Sequence, residues 1–157
     1  TEQAAANAAL VLEKFRQQGD LVVHVRHEFA SDDAPFFRPG SEGAQIHPSV
    51  AALATEEVVL KQQINSFKDT NLAEILQKAG IEKLVIVGAM SHMCIDAMTR
   101  AGKDFDYDCT VLQDACATLD LEFNGVKVPA AQVHAAYMAA LSFAYAKVID
   151  TKVYLNS

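Results

Sequence analysis

The run Lys83-Leu84-Val85-Ile86-Val87-Gly88 constrains the fold more than any other stretch of the chain. A short apolar, β-branched segment ends at a glycine, a few small or polar residues follow, and helical periodicity begins at Cys94, so the pattern predicts strand, tight turn, helix. Apolar strands of this kind, without alternation, are those covered on both faces.

The same alternation recurs along the chain. Ala4 to Gln18 places Ala4, Ala8, Val11 and Phe15 on one helical face, with Gly19 set to stop the helix. Leu21 to Val25 reads as a buried strand with polar Arg26, His27 and Glu28 at its C-terminal end. From Phe29 to Thr55 the pattern dissolves into Ser, Asp, Pro and Gly around Phe36-Phe37 and Arg38-Pro39-Gly40-Ser41. A loop of that length is either a wall or lid of a site, or a surface excursion whose phenylalanines dock on the core. Val58 to Lys61 is a second strand, Thr70 can cap a helix burying Leu72, Ile75, Leu76 and Ala79, and Gly80 ends it. After the central strand Leu84 to Val87, a helix is predicted from Cys94 to about Ala101 and a strand from Asp108 to Leu112. A polar loop from Asp114 to Pro129, an alanine-rich helix from Ala130 to Tyr145 and a short strand from Lys147 to Ile149 complete the pattern. Strands alternating with helices imply a three-layer α/β/α domain with a mainly parallel, doubly wound sheet, in which ligands bind beyond the carboxyl ends of the strands. The expectation is one domain over residues 1–157.

Lys61, His27 and the Gly88-to-Cys94 turn all fall at such strand ends, on one edge of the sheet. A thiol at a helix N-terminus is favoured as the thiolate by the helix dipole, and a nearby ammonium adds direct charge attraction. A turn there can also aim backbone N–H groups at a carbonyl oxygen gaining charge. Residue chemistry alone therefore suggests a cysteine-nucleophile hydrolase, against the ordinary reading of a lysine meeting solvent and a cysteine packed in a core. A net charge of −7 with no basic run argues against nucleic acid or an anionic membrane surface as partner. Three cysteines, Cys94, Cys109 and Cys116, without a CxxC pair fit neither a disulfide framework nor a zinc ribbon, which points to a cytoplasmic setting. The small apolar surface of the alanine-rich helix hints at a homo-oligomer, a dimer or larger.

Three stretches, in order, resemble the isochorismatase-like cysteine hydrolases, the superfamily that also holds nicotinamidases and carbamoyl-amide hydrolases. They are Glu57-Val58-Val59-Leu60-Lys61 followed by Asn65 to Leu72, Val87-Gly88-Ala89-Met90-Ser91-His92-Met93-Cys94 with Asp96 to Arg100 behind it, and Val111 to Thr118. The resemblance implies an Asp-Lys-Cys triad with Lys61 and Cys94 in the lysine and cysteine roles. It also implies a cis peptide at Ala89–Met90 and an oxyanion hole made by the N–H groups of Met90 and Cys94. His27, Phe37, Phe67 and His92 are the candidates for substrate contact, His92 alternatively being a solvent-facing turn residue. The substrate implied is a small amide or carbamoyl compound, with no cofactor.

Two departures from the family pattern shape the expectations. The family's aspartate lies on a first, central strand, between the strands matching Leu21 to Val25 and Leu84 to Val87. This chain opens on the helix that follows it, and Asp20 sits at the wrong end of the sheet to substitute. Unpaired strand edges inside a sheet cost roughly 1–3 kcal/mol for each buried group left without a partner, so about twenty further N-terminal residues are expected. Second, Val25 to Ser31 lacks the aspartate and paired histidines that hold a metal in nicotinamidases, and His27 and His47 are too scattered to replace them; neither metal nor nicotinamide is expected. The alternatives are a catalytically silent binding or assembly module that lacks the aspartate, and isochorismate-type vinyl ether cleavage, which needs no sulfur nucleophile. A dinucleotide-binding domain fails because no GxGxxG follows the first visible strand.

Overall fold

The computed structural model describes residues 1–31 and 33–157; Asp32, within the long loop, lies outside the described residues. In chain order the elements are α1 (Glu2–Gln18), β1 (Val23–His27), β2 (Glu57–Lys61), α2 (Leu72–Lys78), β3 (Lys83–Ala89), α3 (Asp96–Asp104), β4 (Asp108–Ala117), β5 (Leu121–Phe123), β6 (Val126–Val128), α4 (Ala130–Ala144), β7 (Lys147–Ile149) and α5 (Thr151–Leu155). α1 ends where Gly19 adopts φ 73°, which lets Gly19 N–H donate to Arg16 O and Asp20 N–H donate to Phe15 O.

The sheet is parallel throughout its main body. β1 pairs with β2, Val23 opposite Glu57 and His27 opposite Lys61, while β4 pairs with β3 on one side and β7 on the other. Side chains of β3 alternate between two cores, as strand geometry requires. Leu84 and Ile86 pack with Leu72 and Leu76 of α2 and Met138 and Leu141 of α4, whereas Val85 and Val87 pack with α1 and Tyr154 of α5. Helices on both faces of a parallel sheet give the expected three-layer α/β/α architecture.

β1 and β3 are not paired with each other. Their facing edges, floored by Leu12 and Phe15 of α1, line a groove of about 440 Å³ that reaches Lys61 and Cys94.

Several boundaries differ from the sequence expectation. β1 extends to His27 instead of stopping at Val25, because Arg26 and His27 continue the ladder against Leu60 and Lys61. β4 runs on to Ala117, beyond Leu112, so Cys116 lies in a strand with Gly88 opposite it. The loop expected from Asp114 to Pro129 contains the antiparallel hairpin β5–β6, and α5 was not expected at all. Cys94 does not open a regular α-helix: it sits in a π-helical turn, Ser91–Ile95, from which α3 continues at Asp96.

Candidate active site

The site is built where β1, β2 and β3 end. Parallel pairing in register brings His27 beside Lys61, and both are buried, Lys61 at 2% exposure and His27 at 9%. The Lys61 ammonium donates to the backbone oxygens of Gln63 (2.8 Å) and Ile64 (3.0 Å), to His27 Nδ1 (3.2 Å) and to Cys94 Sγ (3.1 Å). An ammonium has no acceptor, so His27 Nδ1 must be the unprotonated ring nitrogen and Nε2 carries the hydrogen. Burial, reinforced by the neighbouring Lys61 charge, lowers His27 from its ordinary basicity and keeps the ring neutral. Its Nε2 has no hydrogen-bond partner among the described residues. Phe29 and Phe37 meet the His27 ring edge-on, at 4.6 and 5.7 Å between centroids.

Cys94 reaches Lys61 because β3 ends in a tight turn. Gly88 has φ 130°, a conformation that side chains rarely adopt, and the Ala89–Met90 peptide is cis. Met90 O then accepts from the N–H groups of both Met93 and Ile95, closing the turn that carries the sulfur. Cys94 is partly accessible, in contrast to the other two thiols. Burial pushes Cys109 up to about 11 and Cys116 up to about 12, so both stay protonated core residues.

The structure gathers His27, Phe37, Lys61 and Cys94 along one groove. Two other expected substrate contacts lie elsewhere. Phe67 stacks on Tyr107 and meets Phe105 edge-on beyond the C-terminal end of α3, and it is not among the residues lining the groove. His92 is half-buried and not among the residues lining the groove: its Nδ1 is 2.6 Å from Thr118 Oγ1, its ring meets Tyr137, and burial lowers its basicity. One site feature escaped sequence reasoning: Ser91 Oγ lies 2.8 Å from His134 Nδ1 on α4. The available signal was a polar ring next to Val133 and one helical turn before Met138, both buried. Among the described residues no group of three or more His, Cys, Asp or Glu side chains converges as metal ligands, and no helix is long and apolar enough to cross a membrane.

Comparison with known proteins matches this arrangement to one family. The family model of the Isochorismatase domain covers residues 1–152. The isochorismatase family protein YddQ of Bacillus subtilis is 47% identical, across 99% of this chain and 86% of its own length. A streptothricin hydrolase of Streptomyces noursei is 33% identical, across 71% of this chain and 40% of its own. The crystal structure of an isochorismatase-family protein from Oleispira antarctica superimposes with a TM-score of 0.96 at 66% identity, covering 100% of this chain and 83% of that one. A strand-end lysine against a cysteine in the turn after the central strand, on a three-layer parallel α/β frame, thus sits in a chain that belongs to the isochorismatase family of hydrolases.

Proposed function

We propose that this protein is a cysteine hydrolase that cleaves the C–N bond of a small amide or carbamoyl compound through a thioester. The observation that carries this reading is the 3.1 Å approach of the buried Lys61 ammonium to Cys94 Sγ. A buried cation without a counter-charge costs several kcal/mol. The other partners of this ammonium are two carbonyl oxygens and a neutral imidazole, so the sulfur, as thiolate, is the group that balances it.

In this mechanism the thiolate attacks the carbonyl carbon, a C–S bond forms, and the carbonyl electron pair moves onto oxygen. The N–H groups of Met90 and Cys94 are assigned to that oxyanion, a donor in such a place being worth about 3 kcal/mol. Collapse breaks the C–N bond and expels the amine, which takes a proton; water then cleaves the thioester. His27 and Phe37 form the substrate wall nearest the sulfur. The proton transfers need a base, and among the described residues no carboxylate lines the groove at Lys61 and Cys94. The three unpaired thiols suit a reducing cytoplasm.

Streptothricin hydrolase lends support to hydrolysis as the reaction class. A silent binding module is the second reading, favoured by the lack of a carboxylate among the ammonium's hydrogen-bond partners in the described residues. Ammonia release from a panel of small amides and carbamoyl compounds, with mass spectrometry for the acyl-enzyme, separates the two. Wild type should turn over at least one compound and Cys94→Ala none; turnover retained in Cys94→Ala removes the nucleophile, and no turnover of any compound by wild type favours the silent module.

A further inference from the structure

Ser91 is the first residue of the turn that carries Cys94, and it is fully buried. Its hydroxyl lies 2.8 Å from Nδ1 of His134 on α4. The other ring nitrogen, Nε2, is 3.1 Å from Gln113 Oε1 on β4, and the Gln113 amide nitrogen donates to Asp150 Oδ1 at 2.6 Å, just after β7. The direction of every link follows from the last one. A carboxylate only accepts, so Gln113 turns its NH₂ to Asp150 and its carbonyl oxygen to His134. That oxygen also only accepts, so His134 Nε2 carries the hydrogen and Nδ1 of the neutral ring is an acceptor. Ser91 O–H must therefore donate to His134. Burial lowers the basicity of His134 and favours the neutral ring the chain requires.

Besides the contact of Cys94 with Lys61 and the packing of Ile95 in the core, side-chain hydrogen bonds tie the turn at Ser91 and at its neighbour. His92, the next residue, is held to Thr118 just after β4, so two adjacent residues are bonded to different parts of the fold, α4 and the segment leaving β4. A turn pinned in this way has little freedom to rotate its sulfur away from the strand ends. We propose that His134 is a positioning residue for the nucleophile turn: through Ser91 it ties that turn to α4 and β4 and holds Cys94 Sγ against Lys61. The proposal rests on the reading of Cys94 as a thiolate nucleophile, and it assigns a role to a helix that the mechanism leaves unused.

The test reads the sulfur itself and needs no substrate. Alkylation of Cys94 by iodoacetamide at pH 7 is followed by peptide mass spectrometry, with buried Cys109 and Cys116 as internal controls and thermal melting of each variant in parallel. His134→Ala and Ser91→Ala should each slow alkylation by about fivefold or more, with no further loss in the double variant. His134→Asn, whose side-chain oxygen can accept from Ser91 in place of Nδ1, should return the rate to within about twofold of wild type. Nitrogen NMR of the His134 ring should show the Nε2–H tautomer. A His134→Ala rate close to wild type, an Asn variant no faster than Ala, additive losses in the double variant, or an Nδ1–H tautomer would overturn the proposal. Where the alanine variants do not fold, Gln113→Met leaves Ser91 and His134 in place and removes the acceptor for Nε2, together with the Gln113 bond to Asp150. It should slow alkylation in the same direction, and an unchanged rate has the same adverse weight. Turnover surviving in Cys94→Ala would instead count against the nucleophile reading, with the alkylation comparison still interpretable by itself.

Discussion

An ammonium group has three hydrogens, and Lys61 faces four acceptors. The two carbonyl oxygens are the closer partners, so the one remaining hydrogen, shared between His27 and Cys94, favours whichever of them carries negative charge, and only the sulfur can. Lys61→Met keeps the length of the side chain and removes the charge. We expect it to slow alkylation of Cys94 at neutral pH by about tenfold and to abolish turnover. It should also lower the melting temperature, because the carbonyls of Gln63 and Ile64 lose their donor at about 1–3 kcal/mol for each that stays buried. Gly88 gives a second prediction at this scale. A Cβ there would meet Ile95 Cδ1 at an ordinary 3.7 Å, so space is not the obstacle; φ 130° is. Gly88→Ala should cost about 1–3 kcal/mol in denaturant unfolding and weaken Cys94 reactivity through the turn it begins. Lys61 and Cys94 were legible in the sequence because strand ends and turn glycines leave local signatures. The tie between Ser91 and His134 was not, since 43 positions separate them and nothing local marks His134 as the partner.

Among the elements, the junction of α1, β1 and β2 is held by Glu56. Its carboxylate accepts from Arg16 at 2.7 and 2.8 Å, from the backbone N–H of Leu53 at 2.8 Å, and lies 2.8 Å from His24 Nε2. The Arg16 guanidinium, chiefly by hydrogen bonding, holds the carboxyl at about 2, against an ordinary 4.5. A carboxylate made more acidic by folding stabilises the fold above its unfolded pKa, and that contribution is lost as pH falls towards the folded value. Glu56→Gln should therefore destabilise the protein by about 2 kcal/mol at neutral pH, with the gap between variant and wild type closing as melts are taken from pH 5 down to pH 2. A gap independent of pH would show that the charge is not what matters. The hairpin β5–β6 marks the limit of reading by element. Asn124-Gly125 between Leu121-Glu122-Phe123 and Val126-Lys127-Val128 is a strong hairpin signal, but each arm is only three residues long and faces solvent, with Phe123 77% exposed. Such short arms hide within a polar loop when periodicity over longer windows is the guide.

At the scale of the molecule, the two halves of the sheet meet across the groove that leads to the sulfur, so its edges are where binding changes stability. α4 turns Val133, Met138 and Leu141 inwards and leaves Ala135, Ala136, Ala139, Ala140 and Phe143 exposed, Phe143 at 91%. A homo-oligomer formed through that face would show a light-scattering mass above the 17.0 kDa of one chain, and Phe143→Asp should return it to that value. The order of the main strands and helices up to β4, with α4 and β7 after it, the layers they form and the placement of Lys61 and Cys94 at one sheet edge were determined by the sequence, because apolar periodicity and turn chemistry act between near neighbours. The pairing of His27 with Lys61, the withdrawal of Phe67 and His92 from the groove and the chain of bonds from Ser91 to Asp150 were decided only by tertiary structure. Those depend on register and packing between elements far apart in the chain, where a difference of one residue in a strand would turn a side chain to the opposite face.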